Sequence, residues 1–231
     1  MNASPIALLY DIHGNLAALE AVLADAESAG ATTYLLGGDY AAFGPWPRET
    51  AELLEGLPAI ARIRGNVERW LCEQPEAPKS AQQFLTAALT AARESLGPAL
   101  VERLYGLPKE AELDGILVCH GSPRSDIESF APEAQRGEER MLAGVAQRTI
   151  LFGHSHKQFR RPGPNGTLLV NPEASARRST GIHARPGRST RAARSASAEP
   201  PTMSSERPRR CAPTATGPSQ SCIESSTDPT Q

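Results

Sequence analysis

The first 66 residues alternate between short apolar runs and helix-like stretches, and each apolar run stops at a polar block beside glycine. Pro5–Tyr10 reads as a buried strand, and a helix follows from about Asn15 to Ala29 with Leu16, Leu19, Leu23 and Ala26 on one face. Thr33–Leu36 is a second strand, Glu49–Glu55 a second helix and Ala59–Arg64 a third strand. Strands that alternate with helices pair in parallel through right-handed crossovers, which restricts the chain to an α/β fold. The carboxyl ends of such strands form the ligand crevice. Asp11-Ile12-His13, Gly38-Asp39 and Gly65-Asn66 all fall there.

Residues 67–112 interrupt the alternation with helical signals at Val67–Glu73, Ala81–Ser95 and Pro98–Tyr105. Directly following a polar block, this segment is expected to pack as a helical cap beside the crevice. Strand signals resume at Gly115–Cys119 and Thr149–Phe152, with a helix expected near Pro132–Gln147 between them. A hairpin is expected from Gln158–Arg161 and Thr167–Val170 around Gly163-Pro164-Asn165-Gly166. The later strands end in two more blocks, His120-Gly121 and Gly153-His154-Ser155-His156.

Composition divides the chain near residue 172. Residues 1–172 carry 15 Lys+Arg and 21 Asp+Glu; residues 173–231 carry nine Arg, no Lys and five acids. The first segment is long enough to bury a core. In the last 59 residues only Ile182, Met203 and Ile223 are large and apolar, too few to offset ordering entropy. That tail is expected to be disordered, and its abrupt Arg/Ala/Ser/Pro/Thr bias is what GC-rich coding sequence gives when read out of frame. On that reading the closing C-terminal strands are missing. The other reading is a natural basic tail for RNA or an acidic partner, for which dispersed arginines are thin support; no clear nucleic-acid-binding surface is evident. Cys72, Cys119, Cys211 and Cys222 lack Cys-x-x-Cys spacing and read as free buried thiols in a reducing cytosol. With no signal peptide and no run near the roughly 20 apolar residues of a membrane span, a cytoplasmic protein is expected.

Seven residues of the five blocks are potential metal ligands: Asp11, His13, Asp39, Asn66, His120, His154 and His156, including four of the chain's five histidines. Oxygen donors mixed with imidazoles suit a pair of divalent ions such as Mn²⁺, Fe²⁺, Zn²⁺ or Ni²⁺. Singly, each block has an ordinary explanation. Asp11 or Asp39 could cap a helix, His120 could be a satisfied strand-end histidine, and Gly153–His156 could be a polar turn. Jointly, five coincidences are needed. Phe43, Trp46 and Trp70 read as packing residues rather than base-stacking ones.

In order, D-x-H, G-D, G-N, a lone H and G-H-x-H resemble the signature of the calcineurin-like metallophosphoesterases across residues 11–156. Gly38-Asp39-Tyr40-Ala41-Ala42-Phe43-Gly44-Pro45-Trp46-Pro47 resembles the longer G-D-x-x-x-x-G-P-x-P form of their small bacterial and archaeal phosphodiesterase branch. The resemblance implies an α/β/β/α sandwich of two mixed sheets. It implies Asp11, His13 and His156 on one metal, Asn66, His120 and His154 on a second, and Asp39 bridging them. The expected reaction is phosphoester hydrolysis by a hydroxide shared between two divalent ions, with Mn²⁺ the first choice. Asp39, Asn66 and His120 would then lie nearest the chemistry. Arg64 matches a position where relatives place a phosphate-binding arginine, although a strand-end surface arginine is an equal reading.

One position departs from the pattern. Many members carry His after the Asn; here Val67 stands, and Glu68, the acid that usually follows, has lost the partner it would orient. The departure favours good leaving groups, aryl or nucleotide esters over alkyl monoesters. The expected substrate is a small phosphodiester, nucleotides included. Phosphomonoesters or dinucleoside polyphosphates are the alternatives within enzymes. A non-catalytic scaffold, as in the retromer subunit of this fold, is opposed by seven intact ligands, and an inactive truncated product is the third reading.

Overall fold

The computed structural model describes residues 4–172 and the backbone of His183–Ala184. The chain divides into units of residues 1–195 and 196–231, and only the first contains described residues. Apart from that pair, the expected tail of residues 173–231 lies outside the described residues.

The first half follows the expected alternation: β1 (Ile6–Leu9), α1 (Leu16–Ser28), β2 (Thr33–Leu36), α2 (Pro47–Glu55) and β3 (Ala59–Arg62). Asn15 caps α1 by accepting the Ala18 N–H at 3.2 Å, and Pro47 opens α2 where no helix needs an N–H. Then come α3 (Asn66–Trp70), α4 (Lys79–Leu96), α5 (Pro98–Tyr105), β4 (Glu110–Leu113) and β5 (Ile116–Cys119). β6 (Thr149–Leu151), β7 (Phe159–Pro162) and β8 (Leu168–Asn171) follow, and His183–Ala184 forms a two-residue β9.

Two mixed sheets result, in the orders β3-β2-β1-β9 and β4-β5-β6-β8-β7. β1, β2 and β3 run parallel, with Ile6 opposite Thr33 and Leu9 opposite Leu36, and β9 lies antiparallel beside β1. In the second sheet β5, β6 and β8 are parallel, flanked by antiparallel β4 and β7. Because successive side chains alternate faces, Leu8, Tyr10 and Leu35 meet Val118, Leu151 and Val170 between the sheets. Ala7, Leu9, Tyr34 and Leu36 point the other way, against Leu19, Leu54, Leu89 and Leu100 of the helices. Leu117, Ile150 and Leu169 form the outer face of the second sheet, beneath Phe130, Met141 and Leu142.

Several expectations need correcting. The helix near Pro132–Gln147 is absent; one 3₁₀ turn, Glu138–Leu142, stands there between Gly137 and Gly144, both at positive φ. Glycines in left-handed backbone end a helix rather than continue it. The layer over that sheet is therefore largely irregular. β4 was not expected, although Asp114-Gly115, with φ of 49° and 78°, makes the two-residue hairpin turn that joins it to β5. Glu110–Glu112, the end of the 67–112 segment, thus belongs to a sheet. Helices α4 and α5 of that segment place Leu89, Ala92, Leu96, Leu100 and Leu104 in the same core as α1 and α2. Of the two described cysteines, Cys119 is buried as expected but Cys72 is exposed. No helix among the described residues is long and apolar enough to cross a membrane.

Truncating the inter-sheet core should be costly and truncating the α4 surface should not. Leu35→Ala is expected to lose about 2–5 kcal/mol of stability in urea denaturation. Phe84→Ala, at a side chain 67% exposed, should stay within about 0.5 kcal/mol of the parent.

Candidate metal centre

Beyond the ends of β1 and β2 the chain keeps pairing. Asp11 N donates to Gly38 O at 3.1 Å, His13 N to Asp39 O at 2.9 Å and Gly14 N to Tyr40 O at 2.8 Å, so two ligand loops run side by side. In the second sheet Gly153 N donates to His120 O at 2.7 Å, joining two more. Asp11 links the sheets, its carboxylate accepting the His154 N–H at 3.0 Å. Asp11, His13, Asp39, His154 and His156 all have φ between 53° and 63°. This left-handed backbone costs a non-glycine residue about 1–2 kcal/mol and turns each side chain sharply off the strand direction.

All seven expected ligands come together. Asp11, His13 and His156 form one group and Asp39, His120 and His154 another, the donor atoms of each lying within 4.8 Å of one another. Asn66 Oδ1 joins the second, 3.1 Å from His120 Nε2 and 2.8 Å from His154 Nδ1. Asp39 Oδ2 reaches both groups, 3.8 Å from His13 Nε2 and 3.3 Å from His120 Nε2. Asp11, Asp39, Asn66 and His120 are buried. His120 Nδ1 lies 2.9 Å from Gly37 O; donating to that carbonyl would fix the tautomer with Nε2 facing the cluster.

This donor set fits two divalent cations. Buried carboxylates ringed by imidazole nitrogens and an amide oxygen have few protons to share. A bare chain must either protonate an imidazole or turn the Asn66 amide so that its nitrogen faces His120 and His154. A cation removes both needs. Burial pushes His120 down, but the carboxylates of Asp39 and Asp11 outweigh it and raise it to about 10. Burial would raise Asp39, yet His120, His13 and the Val67 N–H hold it well below the usual carboxylate range. Burial lowers His13 and His154, favouring the neutral form that ligation requires.

The calcineurin-like phosphoesterase family model matches residues 4–158. The chain belongs to that family. It is similar to the crystal structure of a metallophosphoesterase from Sphaerobacter thermophilus, with 26% identity over 75% of this chain and 77% of that one, at a TM-score of 0.59. A hypothetical protein from Pyrococcus horikoshii shares the fold at 24% identity, covering 74% and 76% of the two chains, with a TM-score of 0.60. A cold-active protein-tyrosine phosphatase from Shewanella also shares it, at 11% identity over 75% and 71%, with a TM-score of 0.51. No curated protein matches the chain.

Within this calcineurin-like site, Glu68 has a role the sequence reading missed. Fully buried, it accepts Asp39 N and Gly65 N on Oε2, at 2.8 and 2.9 Å, and Tyr40 N on Oε1 at 2.8 Å. It clamps the Asp39 loop to the Asn66 loop. Burial and the Asp39 carboxylate push it up to about 7, while those three N–H donors pull it down. The signal was present: an acid three residues after Gly65 reaches back to that N–H, half of a capping box. Val67 contributes through its backbone, donating to Asp39 Oδ1 at 2.9 Å while its side chain is buried in the helix-side core. Gly65 must be glycine because a Cβ there would collide with the Asp39 carboxylate. Asn171 braces the last loop, donating to Gly153 O at 2.9 Å and Ser155 Oγ at 3.1 Å.

Arg64 contacts α5, while its buried Nε has no hydrogen-bond partner among the described residues. Its guanidinium donates to Tyr105 O at 2.7 Å and lies over the Tyr105 ring, 4.7 Å from the centroid, which is the structural alternative to a phosphate contact.

Two outcomes test this geometry. Because His120 must lose its proton to ligate, Mn²⁺ binding at about pH 7.5 should release about one proton and weaken as pH falls. Titration calorimetry in buffers of different ionisation enthalpy reads this; identical enthalpies would contradict it. Glu68→Gln puts an amide NH₂ against backbone donors and should weaken Mn²⁺ binding about 10–100-fold.

Proposed function

We propose that this chain is a dinuclear phosphodiesterase acting on small phosphate esters, with Mn²⁺ the first candidate for both positions. The observation that carries the reading is Asp39, whose single oxygen Oδ2 lies between the two ligand groups. A carboxylate so placed suits two cations held at the roughly 3.5–4 Å spacing of two-metal hydrolases. When bound, such cations supply Lewis acidity at the phosphoryl oxygens and lower the pKa of a water.

The protein's own part is to hold and exclude. The Val67 N–H fixes the second Asp39 oxygen, and the Glu68 clamp sets the spacing of the Asp39 and Asn66 loops. The Val67 side chain offers the leaving oxygen no proton, so departure depends on the acidity of the leaving alcohol. Charge favours a diester. A monoester dianion calls for extra cationic side chains, yet the cavity at His13 and His156 is lined by no Lys or Arg. A single negative charge matches that surface better. Cytoplasmic placement belongs to the same reading, on the free thiols Cys72 and Cys119.

Mn²⁺-dependent hydrolysis of bis-p-nitrophenyl phosphate by the full chain is the test. Asp39→Asn should lower kcat at least about 100-fold, since it removes the charge shared by both ligand groups. Alkyl monoesters cleaved as fast as aryl diesters would refute the diesterase reading.

A further inference from the structure

The mouth of the site is not lined as the sequence reading expected. Phe43 and Trp46, read as packing residues, are 40% and 43% exposed, while Trp70 is buried. Phe43 stands edge-on to the ligand His13, ring centroids 5.4 Å apart. On its other side Phe84 of α4 lies nearly parallel, at 12° and 6.1 Å between centroids, and is the most exposed large apolar side chain among the described residues. Exposing two phenylalanines forfeits burial that either could have found in the core. The backbone that presents Phe43 is strained as well, since Ala42 and Phe43 are consecutive non-glycine residues at φ of 68° and 72°. Neither feature is needed to hold a metal.

Between Phe43 and the candidate ligands His13 and His156 lies a cavity of about 420 Å³, also lined by Asn15, Gly44 and Pro45; Phe84 stands behind Phe43, reaching the cavity through that ring contact. The cavity opens onto one metal group and has no Asp, Glu, Lys or Arg in its wall. An uncharged aromatic wall cannot recognise a second phosphate or an ammonium through charge, but it can stack a flat neutral ring. The volume is that of a small-ligand pocket.

We propose that the Phe43–Phe84 pair is the specificity surface of the site, stacking a planar aromatic ring carried by one ester group of the substrate. The inference rests on the phosphodiesterase reading and sharpens it. The substrate class becomes phosphodiesters bearing an aryl group or a nucleobase, and α4 of the inserted segment becomes part of substrate selection.

Binding rather than turnover tests it. Inorganic phosphate, methyl phosphate, phenyl phosphate and thymidine 5′-monophosphate are titrated calorimetrically into the Mn²⁺-loaded full chain. Phenyl phosphate, the nucleotide or both should bind about tenfold tighter than methyl phosphate. Tighter binding of both assigns any flat ring, of the nucleotide alone a nucleobase, and of phenyl phosphate alone an aryl ester. Phe84→Ala should erase most of that preference and leave the affinity for inorganic phosphate unchanged. Phe43→Leu should do the same, and Phe84→Ala decides the matter if strain at Phe43 prevents folding. If neither phenyl phosphate nor the nucleotide binds tighter than methyl phosphate, or if the preference survives Phe84→Ala, the platform is overturned while the metal centre stays intact. Failure to bind inorganic phosphate at all would instead strike the parent reading, and this one with it.

Discussion

Three buried carboxylates meet at one end of the inter-sheet core: Asp11, Asp39 and Glu68. Burying negative charge is tolerable only when positive charge or dense hydrogen bonding accompanies it. The two solutions are divided between residues. Glu68 is answered by three backbone N–H groups, whereas Asp11 and Asp39 face imidazoles. The first solution is structural and permanent. The second leaves a place that a proton can fill in part and a divalent cation can fill fully, which is why the donor geometry reads as a metal centre.

That division explains how the site works without a histidine after Asn66. Here Val67 turns into the helix-side core, and its N–H orients Asp39 instead. Glu68, deprived of a side-chain partner, ties together the backbone of two ligand loops. The position has exchanged proton donation for rigidity. Under the diesterase reading proposed above, cleavage depends on the acidity of the leaving group, which an aryl ester supplies.

The fold and the ligands were largely legible because they rest on local pattern. Short apolar runs such as Ile6–Leu9, broken by helix-period stretches, marked the buried strands. The seven candidate ligands stood out as Asp, Asn and His at strand ends, and the structure gathers them into two groups. The misses came where long-range contacts decide. The Arg64 Nη1 bond to Tyr105 O of α5 joins residues 41 apart, and no local pattern announces it. The helix near Pro132–Gln147 was read through Gly137 and Gly144, whose left-handed backbone permits only a 3₁₀ turn. Phe43 was assigned to packing because hydrophobicity predicts burial in general. Its exposure depends on a backbone strain that no periodicity records.

Strain and ligation are linked by the topology. Parallel strands end together on one side of a sheet, but side chains in extended backbone point above and below it rather than forward. To converge on a point beyond the strand ends, a ligand must turn its Cα–Cβ bond out of that alternation. A left-handed residue does so within one step, and five of the seven ligands adopt it. The cost falls on residues whose polar side chains then crowd together, His13 Nε2 and His156 Nε2 at 3.1 Å among them. A chain carrying such a site at neutral pH therefore holds unfavourable backbone and unfavourable electrostatics in the same few residues, and a bound cation relieves the second while fixing the first. Ala42 and Phe43 carry the same backbone strain without ligating anything. Burial of Ala42 in the helix-side core and the Phe43 ring contacts with His13 and Phe84 offset part of that cost, so the strain serves to turn Phe43 toward the open side of the site.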